Sequence, residues 1–283
     1  MTRSPDYSAP HASATFVGNN RVLLGARVGN STIAYYLEAD DRLLSPWFIV
    51  SGQYEIELTN FFLRRLRKDS HCLDIGSNFG YFTCLMARYC PDGRVIGVEA
   101  DRKIADLARD NIFINGFYGP ADVVCAAASD REGELTLYRR TSRSGNTSVV
   151  EVGESFTTAL DEPPVEPFTV ASVRIDDLAE RMEGRVDFIK IDVEGAEPLV
   201  LAGARETIRR NRNISIAMEW SPGQIAGAGF DLGAFMKNIA ASGLRCFSLE
   251  RYTEKPIADG ALLALPYQAG IILRRTDADP YRG

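Results

Sequence analysis

Short apolar segments alternate with amphipathic segments after residue 70, and this alternation limits the folds open to the chain. Segments without a polar face, such as HCLDI (71–75) and VDFIKI (186–191), are typical of strands buried on both sides. Such strands need helices over both faces of their sheet, and helical periodicity follows at 80–89, 102–115 and 196–210. Further strands are predicted at 94–98, 121–128 and 214–219, a further helix at 231–242, and a closing strand pair at 244–249 and 269–275. The order predicts an α/β fold with a mostly parallel sheet.

The segment before residue 54 differs from the rest in composition and pattern. Residues 1–20 are rich in Ser, Pro, Ala and Asn, and we expect them to be largely disordered. Short alternating patterns from residue 21 onward predict short strands. We therefore predict an N-terminal extension at 1–53 and one α/β domain at 54–283. The strand–helix rhythm is interrupted near 130–180, where we predict a hairpin insertion.

Composition narrows the classes of partner and the compartment. The chain has 32 Lys and Arg against 38 Asp and Glu, a net charge of −6, which disfavours a nucleic-acid protein with a broad basic surface. No apolar run is long enough to span a membrane, and the first residues lack the apolar core of a secretory signal. Five cysteines without a CxxC pair are typical of reduced thiols. We predict a cytoplasmic protein without nucleic-acid or membrane partners, and homo-oligomerisation stays open.

The loop after the first predicted strand carries the strongest ligand signal. Asp74 ends the strand, and Gly76, Asn78 and Gly80 follow before a helix begins. Glycines there permit a tight turn and close backbone approach to a ligand. Glu99 ends the next strand, at the distance where an acid commonly accepts hydrogen bonds from an adenosine ribose.

The spacing D-x-G-x-N-x-G differs from the G-x-G-x-x-G of dinucleotide sites, and a carboxylate at Asp74 would repel a pyrophosphate. It suits the cationic methionine half of S-adenosylmethionine. We predict cofactor contacts from Asp74, Gly76, Asn78, Gly80 and Glu99. Asp130, just past the third strand, is a further candidate near the adenine, with a simple loop turn as the alternative. A turn without a ligand, with Asp74 favoured only by the helix dipole, is the alternative for the whole loop.

A second charged cluster follows the fourth parallel strand. Lys190 lies inside the strand, where an ammonium needs a partner, and Asp192 and Glu194 follow at the carboxyl end. We predict Asp192 as the general base of a transfer reaction, Glu194 as the second candidate and Lys190 as the residue that orients or neutralises. Acids in the first turn of the next helix can also serve only the helix dipole. A Mg²⁺ site formed by Asp192, Glu194 and Glu219 is an alternative that we do not favour, and no metal is predicted.

These two tracts together resemble one family. The pair CLDIGSNFGYFT (72–83) and DFIKIDVEGAEPLVLAGA (187–204) resembles the FkbM-type methyltransferases, and the tracts at 173–178 and 54–55 are similar to that family's flanking segments. The resemblance implies a Rossmann-like class I methyltransferase fold with seven strands, the last one antiparallel. It also implies O-methylation of sugars, polyketides and other natural products. Where that family has Thr-Leu-Asp, this chain has Arg174-Ile175-Asp176, so a role carried by that threonine is not transferred.

The sequence thus predicts S-adenosylmethionine-dependent methyl transfer to a hydroxyl of a small molecule or glycan, with the domain at 54–283 as the methyltransferase domain. Three alternatives stay open. One is an N-methyltransferase of the same fold, the second is a non-catalytic nucleotide-binding module, and the third is a dehydrogenase.

Overall fold

A computed structural model describes residues 12–139, 147–149, 165–250, 253–258 and 260–277. The strands are β1 (Ala12–Gly18), β2 (Arg21–Val28), β3 (Ser31–Glu38), β4 (Cys72–Ile75), β5 (Val95–Glu99), β6 (Ala121–Cys125), β7 (Ala127–Ala128), β8 (Gly133–Arg139), β9 (Glu166–Val173), β10 (Phe188–Ile191), β11 (Ser215–Trp220), β12 (Arg245–Glu250), β13 (Thr253–Pro256) and β14 (Gln268–Arg274). The helices are α1 (Leu44–Ser51), α2 (Ile56–Arg65), α3 (Tyr81–Tyr89), α4 (Arg102–Ile114), α5 (Ile175–Glu180), α6 (Glu197–Ala202), α7 (Arg205–Arg210), α8 (Pro222–Gly227) and α9 (Leu232–Ala241), with a 3₁₀ turn at Ala261–Ala264.

The central sheet has the order β13-β12-β14-β11-β10-β4-β5-β6. Strands β11, β10, β4, β5 and β6 are parallel to their neighbours, and β14 runs antiparallel between β11 and β12. The predicted α/β fold with its antiparallel last strand is therefore confirmed, including the closing pair β12 and β14. An eighth strand, β13, extends the edge because it forms a hairpin with β12.

Helices cover both faces of this sheet, as the uninterrupted apolar strands require. In β4, Cys72 faces one buried cluster, which includes α3, α4 and the N-terminal sheet, whereas Leu73 and Ile75 face the other, which includes α5 and α9. All four residues of β4 are buried. Side chains alternate along a strand, so Asp74 lies on the α3 side with Cys72.

The order in which the parallel strands are added to the sheet reverses at β4. Its two neighbours, β5 and β10, come from different halves of the chain. The loops after β5 and β6 leave on one side of this point, and those after β10 and β11 leave on the other. Open α/β sheets bind ligands in the crevice at such a switch point, beyond the carboxyl ends of the strands.

The N-terminal region departs from the expectation in two places. Ala12–Gly18, within the segment expected to be disordered, forms β1 of an antiparallel sheet with β2 and β3, whereas residues 1–11 lie outside the described residues. A helix, α1, occurs where only short strands were expected. It begins there because the Asp41 carboxylate accepts hydrogen bonds from three successive backbone N–H groups, those of residues 43–45, at 2.7–3.1 Å. The division at residue 53 stays a prediction.

Two asparagines of α4 attach the N-terminal sheet to the α/β core. The Asn111 amide accepts a hydrogen bond from the N–H of Tyr36 at 2.6 Å and donates one to its carbonyl at 3.0 Å. Asn115 makes the same pair of bonds with Ala34, at 2.9 and 2.7 Å. Asn111 also donates to the carbonyl of Phe79, so the same side chain contacts the loop after β4.

The interruption of the strand–helix rhythm corresponds to a small second sheet of order β7-β9-β8. β8 and β9 are antiparallel, and β7 pairs with β9 in parallel. The predicted strand at 121–128 is therefore divided, since β6 stays in the central sheet and β7 leaves it. The middle of the predicted insertion, at 140–146 and 150–164, lies outside the described residues.

The single helix predicted over 196–210 is wrong, because α6 and α7 are separate. Between them, a Cβ on Gly203 would overlap the backbone oxygen of Ser129, so the chain must bend around that contact. α7 then has its own N-terminal partner, because the Asp176 carboxylate accepts from the N–H and the hydroxyl of Thr207, both at 2.8 Å. Every described helix is too short or too polar to cross a bilayer.

Candidate active site

A cavity of about 550 Å³ lies at the carboxyl edge of the parallel strands. This volume is within the range of roughly 300–1,000 Å³ that small-molecule sites occupy. The loops after β4, β5, β6 and β10 line it, together with Glu219 of β11, with α1, and with Thr147 and Val149 from the chain between β8 and β9. Of the predicted site residues, Gly76, Asn78, Glu99, Lys190, Asp192 and Glu194 line the cavity.

The loop after β4 is folded tightly against the loop after β10. Gly76 has φ +75°, and a Cβ there would overlap the backbone oxygen of Asp192. Asn78 is also left-handed, at φ +48°, and its side-chain oxygen accepts from the N–H of Phe79 at 2.7 Å. Non-glycine residues in this conformation are uncommon and strained, and they concentrate at ligand sites.

Glu99 joins this loop to the next one. Its two carboxyl oxygens accept from the backbone N–H groups of Asn78 at 2.9 Å and Asp101 at 2.8 Å. Burial raises the pKa of Glu99 to about 7, although these two N–H groups favour the charged form. Each oxygen keeps a second lone pair for a ligand hydroxyl.

Three predicted cofactor residues lie outside the lining. Asp74 is fully buried and accepts from the Thr83 hydroxyl at 2.6 Å, whereas its other oxygen has no hydrogen-bond partner among the described residues. Burial raises the pKa of Asp74. Gly80, at φ +85°, packs against Ala108 at the start of α3. Asp130 accepts from the Ser129 hydroxyl at 3.2 Å. Their predicted contacts with a cofactor stay predictions.

Lys190 and Asp192 form an ion pair at the end of β10. The ammonium lies 2.9 Å from the Asp192 carboxylate and 5.2 Å from the centre of the Phe82 ring. The lysine side chain is 5% exposed and the aspartate 21%, so only Asp192 is open to a ligand. Burial alone would lower the pKa of Lys190, but the carboxylates of Asp192, Glu55 and Asp74 outweigh it and raise that pKa. These carboxylates therefore favour the charged form of the lysine.

Hydrogen bonds made by the carboxylates of Glu197 and Glu194 stabilise the loop that follows Asp192. Glu197 is fully buried, and one of its oxygens accepts from the N–H groups of Val193 and Gly195, both at 3.3 Å. Burial raises the pKa of Glu197 to about 7. Glu194 is left-handed at φ +53°, and its carboxylate accepts from the Gln224 amide of α8.

Two tyrosine–glutamate pairs flank the ion pair. Of their four residues, the sequence had pointed only to Glu219, as a possible Mg²⁺ ligand. Glu55 interacts with Tyr54 at the start of α2, and Glu219 interacts with Tyr267 just before β14. All four line the cavity, and one oxygen of each glutamate is buried with no hydrogen-bond partner in the part of the chain that the structure describes. Burial raises the pKa of Glu55 to about 7. Burial, reinforced by Asp192 and Glu194, raises that of Glu219 to about 9.

The cavity lining is strongly acidic. Among its described residues, six carry carboxyl groups and Lys190 alone carries a cation; the acids are Asp41, Glu55, Glu99, Asp192, Glu194 and Glu219. Buried carboxyls without counter-ions favour a cationic ligand over a pyrophosphate. The sulfonium and ammonium groups of S-adenosylmethionine therefore fit this lining. No three Asp, Glu, His or Cys side chains of the described residues converge as metal ligands, so the Mg²⁺ alternative gains no support from the geometry.

Comparison with known families identifies the protein family to which this cavity belongs. A model described as the methyltransferase FkbM domain matches residues 74–243, more than half of the chain. The chain belongs to the FkbM methyltransferase family. As an FkbM methyltransferase it is an S-adenosylmethionine-dependent enzyme, and the resemblance found in its sequence is confirmed.

Two relatives are distant from this FkbM methyltransferase. The O-methyltransferase imqG of Aspergillus flavus is 35% identical over 60 residues, which are 21% of this chain and 24% of imqG. The methyltransferase sdnD of Sordaria araneosa is 25% identical over 186 residues, which are 58% of this chain and 71% of sdnD. The match to imqG spans about a quarter of that protein.

Solved methyltransferases are similar at low scores. An O-methyltransferase from Bacillus cereus, in complex with S-adenosylhomocysteine, has 18% identity and a TM-score of 0.43, over 78% of this chain and 80% of that one. TomG from Streptomyces achromogenes, in complex with S-adenosylmethionine, has 15% identity and a TM-score of 0.42, over 83% and 86%. At TM-scores this low, these two structures support no conclusion about this FkbM methyltransferase.

Proposed function

We propose that this enzyme transfers a methyl group from S-adenosylmethionine to a hydroxyl of a small-molecule natural product or sugar. The observation that carries the proposal is the acidic cavity at the switch point, with a buried Lys190–Asp192 ion pair beside the loop that holds Gly76. The relative imqG is named as an O-methyltransferase, which agrees with a hydroxyl acceptor.

The two sides of the cavity suit different ligands. We assign the loops after β4, β5 and β6 to the cofactor, with Gly76 and Asn78 at the methionine half and Glu99 at the ribose hydroxyls. When bound, S-adenosylmethionine supplies a methyl group on a cationic sulfur that is a good leaving group. The loop after β10 and Glu219 of β11 then face the acceptor. Holding the two reactants in line contributes most of the rate enhancement in such a displacement.

Asp192 is the proposed base because it combines access with a fixed position. Its carboxylate lines the cavity, and the Lys190 ammonium holds one of its oxygens at 2.9 Å, which leaves the other to accept the acceptor's hydroxyl proton. Glu194 is second, since the Gln224 amide already holds its carboxylate. Lys190 orients Asp192 and compensates its charge in a buried setting.

The cofactor assignment is tested by calorimetry with S-adenosylhomocysteine on wild type and Glu99→Gln. We expect at least tenfold weaker binding in the variant, about 1.4 kcal/mol, because one charged acceptor is lost. Asp122→Asn, an exposed change on β6, is the matched control and keeps wild-type affinity. No binding by folded wild type would contradict the assignment of the cavity.

The base is tested by Asp192→Asn. We expect a 10²–10⁴-fold loss of methyl transfer, as is typical for a general base, with S-adenosylhomocysteine affinity unchanged. Transfer is measured as tritium from labelled S-adenosylmethionine into a panel of hydroxyl and amine compounds. Transfer only to amines would favour N-methylation. Cofactor binding without transfer to any compound would favour the non-catalytic module.

A further inference from the structure

An apolar stripe runs along the outer face of α1. Leu43, which directly precedes α1, and Trp47 and Val50 within α1 are spaced i, i+4 and i+7, so they follow one side of this segment. They are 50%, 52% and 88% exposed. Contiguous apolar surface of this kind marks a ligand or partner site more often than isolated exposed residues do.

The stripe begins inside the cavity. Leu43 and Trp47 line the cavity although each is half exposed, which places both at its mouth. Tyr267, 57% exposed, lines the cavity as well and is the third apolar residue at the mouth. Val50 is one turn farther out and does not line the cavity. The stripe therefore continues the cavity wall outward.

The orientation of α1 is fixed by its other face. Phe48 is fully buried and packs edge-on against Tyr81 at 5.3 Å and Tyr35 at 5.6 Å. The Asp41 carboxylate holds the first turn. Turning the helix to bury Trp47 would expose Phe48 and break these contacts. The exposure of the stripe is thus a consequence of the packing.

Resting on the proposed function, we propose that the methyl acceptor is a hydroxyl compound with an extended apolar body that leaves the cavity along Leu43, Trp47 and Val50. The lining changes from charged and polar groups inside the cavity to apolar side chains along the stripe. The ion pair, the Tyr54–Glu55 pair and Glu219 line the cavity inside this mouth, where they can hold a hydroxyl. Leu43 and Val50 offer a sugar no hydrogen bond, whereas an aliphatic or aromatic body gains from their burial.

A series of primary alcohols from 1-butanol to 1-nonanol tests the proposal on the protein loaded with S-adenosylhomocysteine. The chain has two tryptophans, and Trp220 is fully buried, so a change in emission on binding reports Trp47. We expect the dissociation constant to fall with each added methylene, by up to the roughly fourfold that full transfer from water gives, since the stripe covers one side of the alkyl chain. Equal affinity along the series would overturn the proposal, as would tighter binding of methyl α-glucoside than of hexanol.

Two substitutions test whether the apolar body lies along the stripe, and both keep Trp47, whose emission reports binding. Leu43→Ser should flatten the dependence on length from the shortest alcohols, and Val50→Ser only for the longest. Phe113→Ser, on α4 and 72% exposed, is the matched control and should leave the series unchanged. Equal effects of all three variants would overturn the proposal.

A second copy of the chain is the competing occupant. Dimerisation in sedimentation that Val50→Ser abolishes, without any response to the alcohols, would overturn the acceptor proposal. Calorimetry with S-adenosylhomocysteine distinguishes a failure of the proposed function from a failure of this inference. Loss of that binding contradicts the proposed function, whereas intact binding without a length dependence contradicts only this inference.

Discussion

Three glycines with similar backbone conformations offer a graded test of how the two loops are joined. Gly116, Gly80 and Gly76 have φ +72°, +85° and +75°. A Cβ on Gly116 would meet nothing within 4 Å, and one on Gly80 would lie 3.2 Å from the Ala108 Cβ. A Cβ on Gly76 would overlap the Asp192 backbone oxygen, whereas carbon and oxygen atoms in contact are roughly 3.3–3.6 Å apart.

Alanine at each position pays the left-handed backbone penalty of roughly 1–2 kcal/mol. We expect that loss alone for Gly116→Ala. Gly80→Ala adds an intermediate term, because the Ala108 Cβ at 3.2 Å is fixed to the backbone of α4 and the two helices must separate by a few tenths of an ångström. Gly76→Ala adds about 1–3 kcal/mol of overpacking, since the backbone of Asp192 must move. The free energy of unfolding in urea measures all three.

Cofactor affinity should follow a different order. Gly116→Ala should bind S-adenosylhomocysteine as wild type does, whereas Gly76→Ala should lose at least tenfold because the loops that line both sides of the cavity move apart. If Gly76→Ala costs no more stability than Gly116→Ala and binds normally, the close contact between the two loops is wrong.

Three further predictions concern the buried carboxyls. The pKa values of Glu55, Glu99, Glu197 and Glu219 are raised above their unfolded values, so their contribution to stability is complete below about pH 4.5 and is lost as pH rises through about 7, and through about 9 for Glu219. The free energy of unfolding should therefore fall between pH 5 and 9, and Glu219→Gln should lessen the fall above pH 7, measured in urea at several pH values. S-adenosylmethionine should release more protons on binding at pH 7 than S-adenosylhomocysteine does, because a sulfonium near these groups lowers their pKa; calorimetry in buffers of different ionisation enthalpy detects this. Thr83→Val should cost about 1–3 kcal/mol because Asp74 loses its hydrogen-bond donor, whereas Thr136→Val on the exposed face of β8 should be close to neutral.

The parallel core could be predicted from the sequence because its signals are local. Each buried strand is a short apolar run, and each helix after it has its own periodicity. The loop from Asp74 to Gly80 and the cluster from Lys190 to Glu194 lie at strand ends, so topology alone brings them to one edge. Six of the nine predicted site residues line the cavity at that edge, and their roles stay predictions.

The residues that were missed depend on long-range pairing. Tyr267 lies far from the motifs in sequence, and it meets Glu219 because β14 inserts antiparallel beside β11, with Trp220 opposite Gln268. Glu55 joins Lys190 only through the packing of α2. The division of the helix over 196–210 also depends on a contact with Ser129. None of these contacts has a local pattern.

The two asparagines of α4 have a consequence for how the N-terminal sheet tolerates change. Asn111 and Asn115 bind the backbone of β3 at alternate residues, Tyr36 and Ala34, as a neighbouring strand would. This edge is therefore closed to strand addition by another molecule, which guards against edge-to-edge aggregation. Because the amides recognise peptide groups, attachment of the sheet is insensitive to side-chain identity at these two positions of β3. The other edge of this sheet is β1, where strand addition must be prevented by other means.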